Sequence, residues 1–230
     1  MVVENSLSRD QQSIRDEYNQ IFEKSPIRDE DRAYLWQAQL TRKLHPQAKA
    51  ILDVACGAGF FPEKLKQVFP TGTKICGTDL SDVALKLARE RCPDLEFFHA
   101  PSEALPFKNE TFDVLTCLGS LEHFLDIPAA LTEMKRVMRP NGLMVVMVPN
   151  IMWYKDVLAV LFTKSRKVRN QTHERFSIYG EWVDLFTSCS LKLHDSYKYN
   201  GIAKASWKQA LKDMLIPERF SYHFIYILKK

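Results

Sequence analysis

Two hydrophobic rhythms follow one another along the chain. In the first fifty residues apolar side chains recur at helical spacing. Ile14, Tyr18, Ile21 and Phe22 share one face of a helix predicted over Gln11 to Lys24, and Ala33, Trp36, Leu40 and Leu44 share a face of a second running from Asp29 to about Lys43. Ser25-Pro26 separates the two, and His45-Pro46 ends the second. From Ala50 onward short apolar runs alternate with amphipathic helices. Strands are predicted over Ala50 to Val54, Lys74 to Asp79, Leu95 to His99, Phe112 to Leu118 and Leu143 to Val148. Helices are predicted over Phe60 to Val68, Asp82 to Arg91 with Ser81 as N-cap, and Ile127 to Met138, where the turn signal Arg139-Pro140-Asn141-Gly142 closes the last. This alternation predicts an α/β fold, a mostly parallel sheet with helices on both faces.

Past residue 150 the rhythm loosens. Trp153 to Phe162 reads as a helix, followed by the basic run Lys164-Ser165-Arg166-Lys167-Val168-Arg169, and another helix covers about Tyr179 to Ser188. Leu191 to Tyr199 and Ser221 to Leu228 read as strands, with a helix near Ala205 to Leu215 between them; that separation also permits an antiparallel pair. No internal repeat is present, so one α/β domain behind a helical extension is the economical reading.

Composition narrows the function classes. Among 230 residues, 46% are hydrophobic and 26% charged, which excludes a disordered chain. The net charge of +4 is too small to point to nucleic acid, and no patch alternates basic with aromatic residues. The charge is unevenly spread: residues 1–150 carry 18 basic and 21 acidic side chains, residues 151–230 carry 14 and 7. No apolar run reaches the roughly 20 residues of a membrane span, and no signal-peptide core follows Met1, so a cytoplasmic protein is expected. Five cysteines without a CxxC pair fit a reducing compartment, and the absence of HExxH or a close His/Cys set predicts no metal.

The chemistry concentrates at the turns after the strands. Asp53-Val54-Ala55-Cys56-Gly57-Ala58-Gly59 follows the first strand and opens a helix, where glycines admit a ligand to the backbone and free N–H groups face it. A dinucleotide site needs a third glycine, but counting from Gly57 places Pro62 there, which disfavours NAD. The acidic Asp53 fits a ligand bearing an ammonium group instead. Asp79, twenty residues past Gly59, ends the second strand and can accept hydrogen bonds from ribose hydroxyls. The alternative is that both aspartates cap the turns that follow them.

In this order the motifs resemble those of the class I S-adenosylmethionine-dependent methyltransferases, small-molecule type 11-like, over about Lys49 to Asn150. Ile51 to Gly59 is similar to the family's first motif and Gly77-Thr78-Asp79-Leu80-Ser81 to its second. Ser102 to Phe107 with Phe112 to Leu115 is similar to the loop after the third strand and to the fourth strand, and Leu131 to Leu143 to the helix and turn before the fifth. The resemblance implies a Rossmann-like, seven-stranded, mostly parallel sheet with an antiparallel last strand, and S-adenosyl-L-methionine as cofactor. It implies that Asp53 and the backbone of Ala55, Cys56, Gly57 and Gly59 hold the methionine portion, that Asp79 binds ribose, and that Leu80 flanks adenine. Ser102 and Glu103 would meet the adenine edge, and the Leu118 carbonyl would face the amino-acid portion. Two positions depart from the family: Ala55 stands where glycine is usual, and Pro101-Ser102 where Asp-Ala is common. Pro101 cannot accept from the adenine amino group.

Methyl transfer from a sulfonium is an in-line displacement, so the protein aligns the acceptor and, for a hydroxyl, takes its proton. His123, in Gly119-Ser120-Leu121-Glu122-His123-Phe124, is the best-placed base, since histidine ordinarily titrates at about 6.5; a structural His after the fourth strand is the alternative. His173, in the segment between strands five and six, and Tyr18, on a helix that in this family often folds over the cofactor, are further candidates. His99 reads as a support of the adenine loop. The apolar segment Ile151 to Phe162 reads as a substrate wall, with a membrane-surface helix as the alternative; the basic run at its mouth would favour an acidic acceptor.

The expected organisation is a helical lid over 1–48 and a methyltransferase domain over 49–230. Within the latter, 49–150 is the cofactor half, 151–190 a substrate-pocket insertion and 191–230 the last two strands. The expected activity is methylation of a small molecule, foremost at oxygen, by a monomer or homodimer. Nitrogen, carbon and sulfur acceptors stay open, as does a non-catalytic cofactor-binding subunit.

Overall fold

The structure, a computed structural model, describes residues 7–25, 31–163, 175, 177–200, 215 and 217–230. Two helices, α1 (Arg9–Lys24) and α2 (Asp31–Leu44), precede the sheet. The alternating part runs β1 (Ala50–Val54), α3 (Phe60–Val68), β2 (Lys74–Asp79), α4 (Asp82–Arg91), β3 (Glu96–His99), β4 (Phe112–Leu118), α5 (Ile127–Val137) and β5 (Met138–Pro149). It continues with α6 (Tyr154–Thr163), α7 (Tyr179–Ser188), β6 (Lys192–Tyr199) and β7 (His223–Lys229). The basic run 164–169 lies outside the described residues, as does the helix predicted near Ala205 to Leu215 apart from Leu215 itself.

One seven-stranded sheet has the order β3-β2-β1-β4-β5-β7-β6. β1 to β5 pair in parallel, and β7 runs antiparallel to both β5 and β6. Strand residues alternate between two helix layers. Leu52, Val54, Leu115 and Val146 pack with Leu131 and Met134 of α5 and Trp182 and Phe186 of α7. Ile51, Val114 and Val145 face the other way, onto Phe61 and Leu65 of α3 and Ala33 and Ala38 of α2. Burial of Phe186, one of the largest enclosed side chains, contributes on the order of 2–3 kcal/mol.

The turn predicted at Arg139 to Gly142 sits inside a strand instead of before one. Met138 already pairs with Phe112, and the register then jumps so that Val114 meets Leu143. The residues between bulge outward, and at Gly142 a Cβ would come within 2.8 Å of Met138 Cγ and 2.9 Å of the Asp113 carbonyl, so glycine is required. Asp113 fastens this corner, accepting from the Lys49 and Ala50 amides at 2.8 and 2.9 Å and pairing with Arg139 at 2.6 Å. Burial opposes its charge, but these partners hold the carboxyl below its ordinary pKa.

Candidate functional site

The carboxyl ends of β1, β2 and β4 open on a cavity of about 790 Å³, closed above by α1. Of the predicted cofactor residues, Asp53, Ala55, Cys56, Gly57, Asp79, Leu80, Ser102, Glu103 and Leu118 line it, and so do His123 and Tyr18. Gly59 stands behind the lining, and His173 lies outside the described residues.

The turn after β1 is wound by three left-handed residues, Ala55 (φ 57°), Gly57 (φ 54°) and Gly59 (φ 78°). A Cβ on Gly59 would stand 3.0 Å from Ala88 Cβ on α4. This glycine therefore supplies the close packing that a dinucleotide fingerprint assigns to its third glycine, while Pro62 is buried within α3. The Asp79 carboxylate is pinned from both sides: Oδ2 accepts from the Gly57 amide and Oδ1 from the Ser81 amide, each at 2.8 Å. A carboxylate so fixed between two turns is preorganised to receive further donors.

Asp53 differs. It is buried, and its Oδ1 accepts from the Thr116 hydroxyl at 2.6 Å. Burial, reinforced by the Asp79 charge and only partly offset by Thr116, pushes its carboxyl up to about 7. Such a group takes its charge most readily with a cation beside it, which is what an ammonium-bearing ligand supplies. Burial and the same two aspartates raise the Cys56 thiol well above its ordinary value, so it is not a thiolate nucleophile.

Helix α1 is fastened over this floor. Phe22 packs on Ala58 and Ala84, and a Cβ on Gly57 would meet its ring at 3.1 Å. Asn19 Oδ1 accepts from the Ser81 hydroxyl at 2.6 Å and from the Val83 amide at 3.3 Å, tying α1 to the start of α4. The loop after β3, carrying Pro101, Ser102 and Glu103, is braced from α5. Arg136, held by Glu133 at 2.7 Å, donates to the Leu105 and Phe107 carbonyls at 3.0 and 2.7 Å. Glu103 Oε1 accepts from the Asp126 amide at 3.3 Å. His99 does not line the cavity; its Nε2 is 3.0 Å from the Leu80 carbonyl, bridging the loops after β3 and β2.

After β4 a single 3₁₀ turn, Leu121–His123, buries Glu122 and His123 with His123 Nε2 3.8 Å from Glu122 Oε1. The Tyr18 ring meets His123 edge-on, centroids 6.4 Å apart. Two of the three predicted acid–base candidates thus share one wall. The opposite wall is aromatic. Trp153 lies tilted against Tyr222 (4.6 Å between centroids), Tyr222 meets His223 edge-on (4.0 Å), and His223 lies tilted toward Tyr199 (6.1 Å). Buried Asn150 assembles it, donating through Nδ2 to the Arg219 and Ser221 carbonyls at 2.8 and 2.9 Å and through its amide to the Tyr222 carbonyl at 3.1 Å. The sequence pattern marks Trp153 but not Tyr199, Tyr222, His223 or Asn150. The available signal was strand direction: because β7 runs backward, its first residues reach the edge where the parallel strands end. Outside, α6 exposes Leu158, Leu161 and Phe162. No described helix is long and apolar enough to cross a membrane.

Residues 52–146 match the family described as a methyltransferase domain. Over these residues the chain is similar to a methyltransferase domain, in line with the resemblance of its motifs to the class I S-adenosylmethionine-dependent methyltransferases. S-adenosylmethionine is the cofactor of that family. The chain is 28% identical over 156 residues to an uncharacterized methyltransferase, YcgJ, of Bacillus subtilis, covering 65% of this chain and 60% of the relative. It is 29% identical over 149 residues to a demethylmenaquinone methyltransferase of Chlorobaculum parvum, covering 56% and 61%. The matches thus span about three-fifths of the length of these curated relatives. In fold it is similar to a S-adenosylmethionine-dependent methyltransferase of Aquifex aeolicus (TM-score 0.65, 15% identity, 92% and 98% of the chains). It is also similar to the [4+2]-cyclase SpnF (TM-score 0.70, 16% identity, 96% of each chain), so the shared fold does not by itself name the reaction.

Proposed function

We propose that the protein transfers a methyl group from S-adenosylmethionine to a small-molecule acceptor, foremost at a hydroxyl. The observation that carries this reading is the pairing of two unlike carboxylates at the ends of β1 and β2. Asp53 is buried and in need of a cation, and Asp79 is pinned by two amides, with a left-handed turn between them. Asp53 and the Ala55 to Gly59 backbone would hold the methionine portion, Asp79 the ribose, Leu80 the adenine face, Ser102 and Glu103 its edge, and Leu118 the amino-acid end. The bound cofactor supplies an activated methyl carbon. The chain's own task is to exclude water, to align the acceptor oxygen and to take its proton. His123 serves as that base, with Tyr18 closing the wall; His173 keeps its sequence-based candidacy.

In this reading residues 1–48 are the lid, 49–150 the cofactor half, 151–190 the pocket insertion and 191–230 the last strands. The work is that of a cytoplasmic enzyme. A second acceptor, resembling demethylmenaquinone, is favoured by the relatives that carry that name, and the aromatic wall suits its flat ring. Titration calorimetry tests the reading directly. S-adenosylmethionine should bind the protein, Asp79→Ala should lose most of that affinity, and binding of NADH in place of S-adenosylmethionine would refute it.

A further inference from the structure

Beside Asp53 the sheet places a hydroxyl. Parallel pairing of β1 with β4 sets Thr116 directly opposite Asp53, and Thr116 is buried behind the cavity lining. Its hydroxyl has two acceptors within reach, the Asp53 carboxylate at 2.6 Å and the Leu52 carbonyl at 3.5 Å. A hydroxyl carries one proton and two lone pairs, so it can donate to either acceptor and can itself accept from a protonated acid. Valine, of the same shape, can do neither. Burial and the Asp79 charge at the end of β2 oppose a charge on Asp53, whereas the Thr116 hydrogen bond favours it. The Cys56 and Cys117 thiols nearby are held neutral by burial. Glu122 and His123 after β4 and Tyr18 on α1 line the same cavity, and their titration is common to the native protein and a variant at 116.

We infer that Thr116 is a positioning residue for the cofactor, its hydroxyl following the proton on Asp53 and fixing the pH range in which the ligand ammonium is gripped. With Asp53 charged and an ammonium beside it, the hydroxyl donates to the carboxylate. With Asp53 protonated, the hydroxyl accepts from the acid and turns its own proton to the Leu52 carbonyl. Thr116 acts through Asp53, since it stands outside the lining. The inference rests on the methyltransferase reading, in which Asp53 meets the ammonium, and deepens it.

Thr116→Val keeps the shape and removes the hydroxyl. S-adenosylhomocysteine, which carries the same ammonium, is titrated calorimetrically into native and variant protein from about pH 6 to about pH 9, and the ratio of the two dissociation constants is followed. The ligand's own titration cancels in that ratio. The variant should bind about tenfold more weakly at the acid end, and within about twofold of native at the alkaline end, where Asp53 is charged in both. Thr116→Ser should keep the ratio near one throughout, and Thr116→Val should have no effect in an Asp53→Asn background. A ratio that does not change with pH overturns the inference. So does Thr116→Ser behaving like Thr116→Val, or an effect that persists in Asp53→Asn. Should Thr116→Val not fold, Thr116→Cys, with a weaker donor, should show the same pattern at about threefold, and a flat ratio overturns the inference equally. A second measurement needs no ligand. In chemical denaturation the stability lost with rising pH should level off at about pH 7 in the native protein and about one pH unit higher in Thr116→Val; coincident profiles overturn the coupling. Those results leave the methyltransferase reading standing, because native binding is read separately. Failure of the native protein to bind S-adenosylhomocysteine overturns both.

Discussion

The two walls of the cavity are built on different principles. The wall proposed for the cofactor is held by backbone: amides of Gly57 and Ser81 aimed at the Asp79 carboxylate, left-handed turns, and carbonyls fixed by Arg136. The wall proposed for the acceptor is side chain: the rings of Trp153, Tyr222, His223 and Tyr199, with buried Asn150 fastening the segment that carries Tyr222 and His223. A backbone wall holds its shape almost whatever the sequence around it, and so serves one constant ligand. A side-chain wall is rewritten by a few substitutions, and so decides which acceptor enters. The cofactor can therefore be argued from motifs, whereas the acceptor has to be argued from contacts.

Removing the carboxylate that the backbone holds in place should have the largest effect. Asp79→Ala removes the acceptor of two amide hydrogen bonds along with the proposed ribose contacts. S-adenosylmethionine affinity should fall by roughly 10³-fold, the scale of losing two hydrogen bonds to a charged group. Calorimetry reads this, and retention of affinity within tenfold would dismiss the assignment. The next largest change should lie at the junction of the walls. His123→Ala should slow turnover by about 10²-fold with cofactor affinity unchanged. Normal turnover with any acceptor found by metabolite screening would make His123 scaffold.

Asp53 sharpens the contrast through pH. Its folded pKa of about 7 lies above the ordinary 3.8, so between those values the folded protein holds a proton that the unfolded chain has released. Its contribution thus destabilises the ligand-free fold increasingly as pH rises from about 4 to 7, by on the order of a few kcal/mol, and levels off above. Asp53→Asn should flatten this slope and raise the melting temperature of the ligand-free protein at pH 8, while weakening cofactor binding about tenfold. In the native protein, binding of S-adenosylmethionine at pH 6 should release a proton, detected as a buffer-dependent calorimetric enthalpy. An enthalpy independent of buffer would refute the pairing of Asp53 with the ligand ammonium.

The smallest effect belongs to Ala55. A side chain at φ 57° carries about 1–2 kcal/mol of strain that glycine relieves, less the entropy glycine brings to the unfolded chain. Ala55→Gly should stabilise the protein by about 0.5–1 kcal/mol in chemical denaturation. Destabilisation would show that the left-handed turn is not the strained point.

What was legible in the sequence divides along the same line. The strands from Ala50 to Leu118, the helices between them and the cofactor residues are local features: apolar runs, a cap at Ser81, aspartates at strand ends. Each is written in a few adjacent residues, and the structure has the strands and helices where they are expected and nine of the ten residues proposed for the cofactor along one cavity. Ala55 stands out in the sequence only as an alanine where glycine is usual; that its effect is conformational shows in the φ that the turn imposes. Tyr199, Tyr222 and His223 were illegible for another reason. Tyr222 meets Trp153 and His223 meets Tyr199 because β7 enters the sheet backward next to β5, a pairing settled by contacts between residues some eighty positions apart. The segment Arg139 to Gly142 reads in the sequence as a turn before the strand, and only the register between β4 and β5 shows that it is a bulge within it.

The bond between Asn19 and Ser81 links all of this to the outside of the molecule. The Ser81 hydroxyl donates to α1, and its amide donates to the carboxylate proposed to bind ribose. A ligand that redistributes the hydrogen bonds of Asp79 therefore pulls on the same residue that anchors the first helix. Occupancy of the hollow should then show as resistance of residues 9–24 to a protease, a label-free assay for cofactor that requires no knowledge of the acceptor.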